Sequence, residues 1–545
     1  MKALRTVLPI LFLSCQCLSL LHGETYDHFT YTVSNGEVTI TDSGCLKEVV
    51  IPAEIGGLPV TRIGDRAFEG CHPLTSVTIP DTVTSIGEWA FQSCQMLDNV
   101  ILPGSVTTIG NYAFYQCSSL TSITIPDSVT SIGDNAFDRC ENLAAIELPS
   151  SITTIGNSVF RACWNLTSVT IPDSVTSIGG WAFTRCGNLT GLTIPASVTS
   201  IGPRAFDGCI RLESMDIPEG VVSLGEGVFS GCTSLAAITF PETLTRIEDY
   251  AFENCSGLAS VALPPALQHL GAGAFRDCAN LAEVTLPDSL TVIEGSTFSN
   301  CTSLAAITIP DSATTIGTGA FAHCTSLTGV ALPGSVASIG RMAFGGCTGL
   351  TSMVIPEGIT TIPETMFSGC TSLTGVTIPA SVTTIEFGAF SGCHSLTSLP
   401  TGEGVTTIGE KAFWDCDGLT EVTLPGTITS IGDEAFAGCT SLSNILFLGD
   451  PPLVGTNAFT WGHPDLQMQY LEGVPGWGDT FADFPAFPVD PDWLWGRFDM
   501  VDLPGGTYSD TGNWLGWVEI SLRPWIWHPK TEKWLYIPER VAAAG

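Results

Sequence analysis

The sequence predicts a β-rich α/β solenoid of about 18 coils, each 23 residues long. Three observations carry this reading. Phenylalanine recurs every 23 residues from Phe68 to Phe459, eighteen times in phase. Cysteine follows three places later, from Cys71 to Cys439, seventeen times without a gap. The stretch between them repeats too, and LTSITIPDSVTSIGDNAFDRC, from Leu120 to Cys140, stands for all the others. A period held for so many turns overrides the ordinary expectation that 545 residues divide into several globular domains.

Each part of the unit has a physical reason. Leu120, Ile123 and Ile125 end in the alternation of a short half-buried strand. Pro126 stops it, because proline has no donor for a continuing ladder, and Pro126-Asp127-Ser128 is turn chemistry. Val129 and Ile132 mark a second short extended segment, and Gly133 permits a tight bend. Asp134-Asn135-Ala136-Phe137 then reads as a capped helical or 3₁₀ turn that buries Ala136, Phe137 and Cys140. One unit cannot enclose so many inward side chains alone; stacking coils at about 4.8 Å buries them all.

The unit L-x-x-[IV]-x-[IL]-P-x-[SG]-[VI]-x-x-I-G-x-x-A-F-x-x-C resembles the BspA-like (Treponema pallidum-type) leucine-rich repeat of bacterial surface proteins, over about residues 46 to 460. The resemblance implies a leucine-rich-repeat fold and an extracellular role in adhesion or protein binding.

The ends depart from the repeat. Residues 1–23 read as an export signal: Lys2 and Arg5 precede a short apolar stretch, too short to span a membrane. Cleavage after Gly23 and acylation of Cys15 as a lipoprotein anchor are both open. Residues 24–52 alternate around Ser34-Asn35-Gly36 as a β-hairpin that caps the solenoid of residues 53–460. Residues 461–492, rich in glycine and proline, form a closing segment or linker. Residues 493–545 form a small Trp-rich module, and its Trp525, Trp527 and Trp534 are candidates for glycan binding or attachment, since an indole offers a large flat apolar face.

Composition narrows the function. The net charge of -35 repels a phosphate backbone, so nucleic acid is a poor partner. No later segment is apolar for long enough to cross a membrane. The eight histidines are scattered, and no HExxH, G-x-S-x-G, P-loop or GxGxxG is found, so neither catalysis, nor a metal, nor a cofactor is expected. The cysteine row is expected to be core packing with mostly reduced thiols, each beside a buried phenylalanine.

The exposed strand positions, Ser76, Asn99, Ser122, Ala145 and onward, are small and bland. Binding hot spots favour Trp, Tyr and Arg, which gather instead around the Phe-Cys corner: Trp89, Tyr112, Tyr115, Trp164, Trp181, Arg204 and Tyr250. The six aromatics among these are the candidate partner-binding residues; covering the edge of the solenoid is their plainer role. The leading expectation is a secreted or cell-surface, non-enzymatic adhesion protein that binds an extracellular protein or cell-surface ligand. The alternative is a carbohydrate-associated protein that binds polysaccharide through its Trp-rich module.

Overall fold

The computed structural model describes residues 24–489 together with five short strands beyond them, Asp499–Leu503, Gly506–Asp510, Trp517–Glu519, Trp525–His528 and Lys533–Tyr536. The expected export signal of residues 1–23, with Cys15, lies outside the described residues. The chain divides between Ala279 and Asn280 into two compact units.

In the first unit the coils contribute two short strands each, except the one that holds Ser200–Ile201 alone. Ser122–Thr124 pairs in parallel with Asn99–Ile101, and Ser131–Ile132 with Thr108–Ile109, each residue facing the one 23 places away. The three-residue strand buries only its middle side chain, Ile123, as the alternation requires. Ten phenylalanines, Phe68 to Phe275, stack face to face with centroids 4.8 to 5.8 Å apart. In the second unit eight more, Phe298 to Phe459, stack at 5.2 to 6.1 Å.

The β-rich solenoid stands, but the helical part of the expectation does not: there is no helix among the described residues. The corner is a run of tight turns. Asn135 and Arg139 take φ of 58° and 61°, in the left-handed region that breaks any helix. Alternate amides point two ways. Ala136 and Cys140 donate back within the coil, to Gly133 and Phe137, while Asn135, Phe137 and Arg139 donate to Asn157, Val159 and Arg161 on the next coil. A helix would spend those donors internally; the turns use them to bind one coil to another.

The buried thiols serve the same end. Cys140 Sγ donates to the Phe114 carbonyl at 3.2 Å, and that oxygen also accepts the Cys117 amide at 3.1 Å. Sixteen cysteines, Cys94 to Cys439, are free and buried. Cys71 is the exception to the expected row of reduced thiols, because it is bridged to Cys45. Cys45 stands 23 residues before Phe68, where the period puts a phenylalanine, so its side chain already points at the column.

At the N-terminus β1 (Glu24–Tyr26), β2 (Phe29–Ser34) and β3 (Glu37–Ser43) form an antiparallel meander. Asn35 and Gly36 make the tight β2–β3 turn with positive φ, 53° and 80°. β3 then pairs in parallel with Leu58–Ile63 of the first full coil. At the other end Gln467–Leu471 and Phe484–Val489 extend the parallel ladder of Asn444–Phe447. Thr480–Phe481 turns back against Phe484–Val489, and Trp477 packs on Tyr470 at 4.9 Å and donates to the Gly449 carbonyl. Much of residues 461–492, expected as a closing segment or linker, adds further strands.

Candidate functional site

At most corners Ala, Phe and Cys point inward, and the residues two before and one, two and four after the phenylalanine lie on the outer side, although some of them, such as Asp138 and Thr184, are covered by their neighbours. The first and third of these registers hold the left-handed positions. Trp89, Tyr112, Trp181 and Tyr250 take φ of 53 to 56°, and Arg185 takes 60°. An L side chain there costs about 1 kcal/mol that glycine avoids. Glycine takes the same registers in both units, at Gly70, Gly208, Gly227, Gly231 and Gly273 in the first and at Gly319, Gly346, Gly369, Gly388, Gly392 and Gly438 in the second. The first unit thus holds bulky aromatics and arginine on strained backbone where a relaxed residue would serve the fold.

Two groups form. In one, the Arg66 guanidinium lies 4.4 Å over the Trp89 ring, Trp89 stacks on Tyr112 at 5.6 Å, and Tyr112 meets Tyr115 edge-on at 5.7 Å. In the other, Trp164 and Trp181, 45% and 42% exposed, line a groove of about 380 Å³ with Arg139, Glu141, Arg161, Arg185 and Asp207. Tyr250 joins neither: its ring lies over Gly273, where an added Cβ would meet it at 2.6 Å.

Asp138 lies beneath Arg161 at the groove. Arg161 donates from Nε and Nη2 to Asp138 Oδ2 at 3.0 and 2.8 Å. Asp138 is fully buried and its Oδ1 has no partner. Burial pushes its carboxyl above the usual carboxylate range, and Arg161 opposes that shift. At this same coil both strand ladders stop: Ser122–Thr124 and Ser131–Ile132 do not pair with Ala145–Glu147 and Thr154–Ile155. The turn side stays bonded, through Asn135, Phe137 and Arg139.

The sequence placed Trp89, Tyr112, Tyr115, Trp164, Trp181 and Tyr250 on this corner, and the structure brings the first five into two groups. It missed Arg66, Arg139, Arg161 and Arg185. Their signal was available: seven of the fourteen arginines fall between Arg62 and Arg211, most of them in the outward registers. Trp525, Trp527 and Trp534 lie on two antiparallel strands, with Trp527 opposite Trp534 and Trp525 opposite Tyr536. In the second unit His394, Asp415 and Asp417 bring ligand atoms within 4.8 Å of one another. His394 is exposed and its Nδ1 faces Asp417 Oδ2 at 3.4 Å on the surface.

A solenoid built from one repeated leucine-rich unit is the class of protein these features define. The model of the BspA type leucine rich repeat region matches residues 61–190, 181–305, 291–419 and 360–462, and the chain belongs to that family. A leucine rich cell surface protein from Faecalibacterium prausnitzii is 31% identical over 68% of this chain and 97% of its own, with a TM-score of 0.44. A leucine-rich repeat protein from Bacteroides ovatus is 26% identical over 86% of this chain and 100% of its own, with a TM-score of 0.46. The leucine-rich repeat protein of T. pallidum is 26% identical over 48% of this chain and 90% of its own, with a TM-score of 0.26. No curated protein matches the chain. No helix among the described residues is long and apolar enough to cross a membrane.

Proposed function

We propose that this protein is an exported, non-enzymatic adhesion protein, secreted or held at the cell surface, that binds an extracellular partner through the turn face of its first unit. One observation carries the reading: Trp, Tyr and Arg concentrate on the outward registers from Arg66 to Arg204, several on left-handed backbone. These residue types dominate binding hot spots. The strand face offers no rival, since Ser76, Thr78, Ser122 and Thr124 are exposed and small.

The test is binding of the fluorescently labelled full chain to host and bacterial cells, with Trp164→Ala and Trp181→Ala beside it. Loss in both supports the reading; unchanged binding sinks it. A second reading, attachment to polysaccharide through residues 493–545, draws on the cross-strand register of Trp525, Trp527 and Trp534 with their partners. It calls for loss in Trp525→Ala and Trp527→Ala instead. Export itself rests on residues 1–23, and acylation at Cys15 would be read from the mass of the mature N-terminus.

A further inference from the structure

We propose that the groove lined by Trp164 and Trp181 is a glycan-binding site, taking a short run of sugar rings on the partner. This rests on the reading of the turn face as the recognition surface and names the chemistry recognised there. Three backbone amides and a hydroxyl of the groove are already committed to the next coil. Arg139 N–H is given to the Arg161 carbonyl, Ala162 N–H to Thr184, Arg185 N–H to Asp207, and the Thr184 hydroxyl to Arg204. The groove is walled by turns with no strand edge, so a peptide main chain would find no ladder to extend and recognition falls mainly to side chains.

Those side chains are of two kinds. Two exposed indoles give flat apolar faces. Around them three guanidiniums, which only donate, alternate with the Glu141 and Asp207 carboxylates, which accept when ionised. Arg139, Glu141 and Arg185 are exposed and make no ion pair among the described residues. A polyanion would meet the two carboxylates, and an apolar peptide would strip water from the guanidiniums without pairing them. Sugar hydroxyls donate and accept at once, and a ring presents C–H faces to an indole. The volume, about 380 Å³, falls toward the lower end of small-ligand sites.

The experiment applies the full chain to a printed panel of neutral and carboxylate-bearing glycans, with hexaglutamate as the peptide control, and follows each glycan that is retained by calorimetry. Retained glycans are expected to bind about tenfold or more weakly to Trp164→Ala and Trp181→Ala. Trp181→Phe should keep part of the affinity, and Arg139→Gln with Arg185→Gln should weaken it. A circular dichroism melt checks that each variant folds, as surface positions allow. Comparing neutral with carboxylate-bearing members tells which sugar type the arginines prefer. Three results overturn the proposal: no glycan is retained, retention survives both tryptophan variants, or hexaglutamate displaces the glycan. Cell binding that is lost in Trp164→Ala while no glycan is retained defeats this inference and leaves the adhesive reading standing.

Discussion

Cys232 shows what the repeated thiol contributes. Its Sγ donates to the Phe206 carbonyl at 3.2 Å, and the same oxygen accepts the Cys209 amide at 3.1 Å. Alanine in its place leaves a small void and a carbonyl short of one donor, so Cys232→Ala should lose about 1–2 kcal/mol, read from the urea midpoint. The thiols also set a pH limit. Burial pushes Cys94, Cys209, Cys278, Cys347, Cys393 and Cys439 up to about 12, against an ordinary value of 9.0. A raised folded-state value means the folded chain holds its proton longer than the unfolded one. The stability this gives is whole below 9.0 and is lost as pH climbs toward 12. Far-UV circular dichroism should therefore hold through neutral pH and fall steeply in that alkaline window, with the folded thiols resisting alkylation at about pH 8. A flat signal through the window would refute it. Arg161→Met strands the buried Asp138 charge, and about 2 kcal/mol should go; a buried pair would lose more, but Arg161 is over a third exposed.

At the scale of the coil, the phenylalanine column sets the spacing and the turns lock it. Phe229 is fully buried, stacked on Phe206 at 5.4 Å and on Phe252 at 5.5 Å, so Phe229→Ala should cost about 3–4 kcal/mol. Because coils touch mainly their neighbours, the faster hydrogen exchange should be confined to nearby coils. The inward half of this element was plain in the sequence: a strict period assigns Leu120, Ile123, Phe137 and Cys140 to the core, and all are buried there. The corner was not, since Asn135 and Arg139 look like ordinary helix-turn residues and nothing in a side chain such as Trp89 announces a left-handed backbone. Seventeen evenly spaced cysteines hid the odd one, although Cys45 stood in a phenylalanine register. Its bridge to Cys71 closes a separation of 26 residues, so Cys45→Ser should lose about 3 kcal/mol by the loop-entropy account. For the site, the aromatics were legible because they break a bland repeat, whereas their division into two groups depends on which coils touch.

At the scale of the whole molecule the two units are unequal in what they display. Glycine stands at outward left-handed positions in both, and the second has exposed aromatics of its own, Phe387, Trp414 and Trp461, but the outward arginines gather in the first. Trp414→Ala should leave cell binding unchanged, while Trp164→Ala lowers it about tenfold. Charge supplies the last prediction. A chain of -35 approaches an anionic cell surface against repulsion, and that repulsion is long-ranged at low salt. The Debye length shrinks from about 30 Å at 0.01 M to about 8 Å at 0.15 M, so salt removes the penalty of approach before it touches contacts within the groove. Binding to cells should therefore strengthen as salt rises through that range, and binding to an isolated neutral glycan should barely change. Were the arginines acting as an electrostatic trap for a polyanion, both would weaken instead, and a salt titration of cell binding separates the two outcomes.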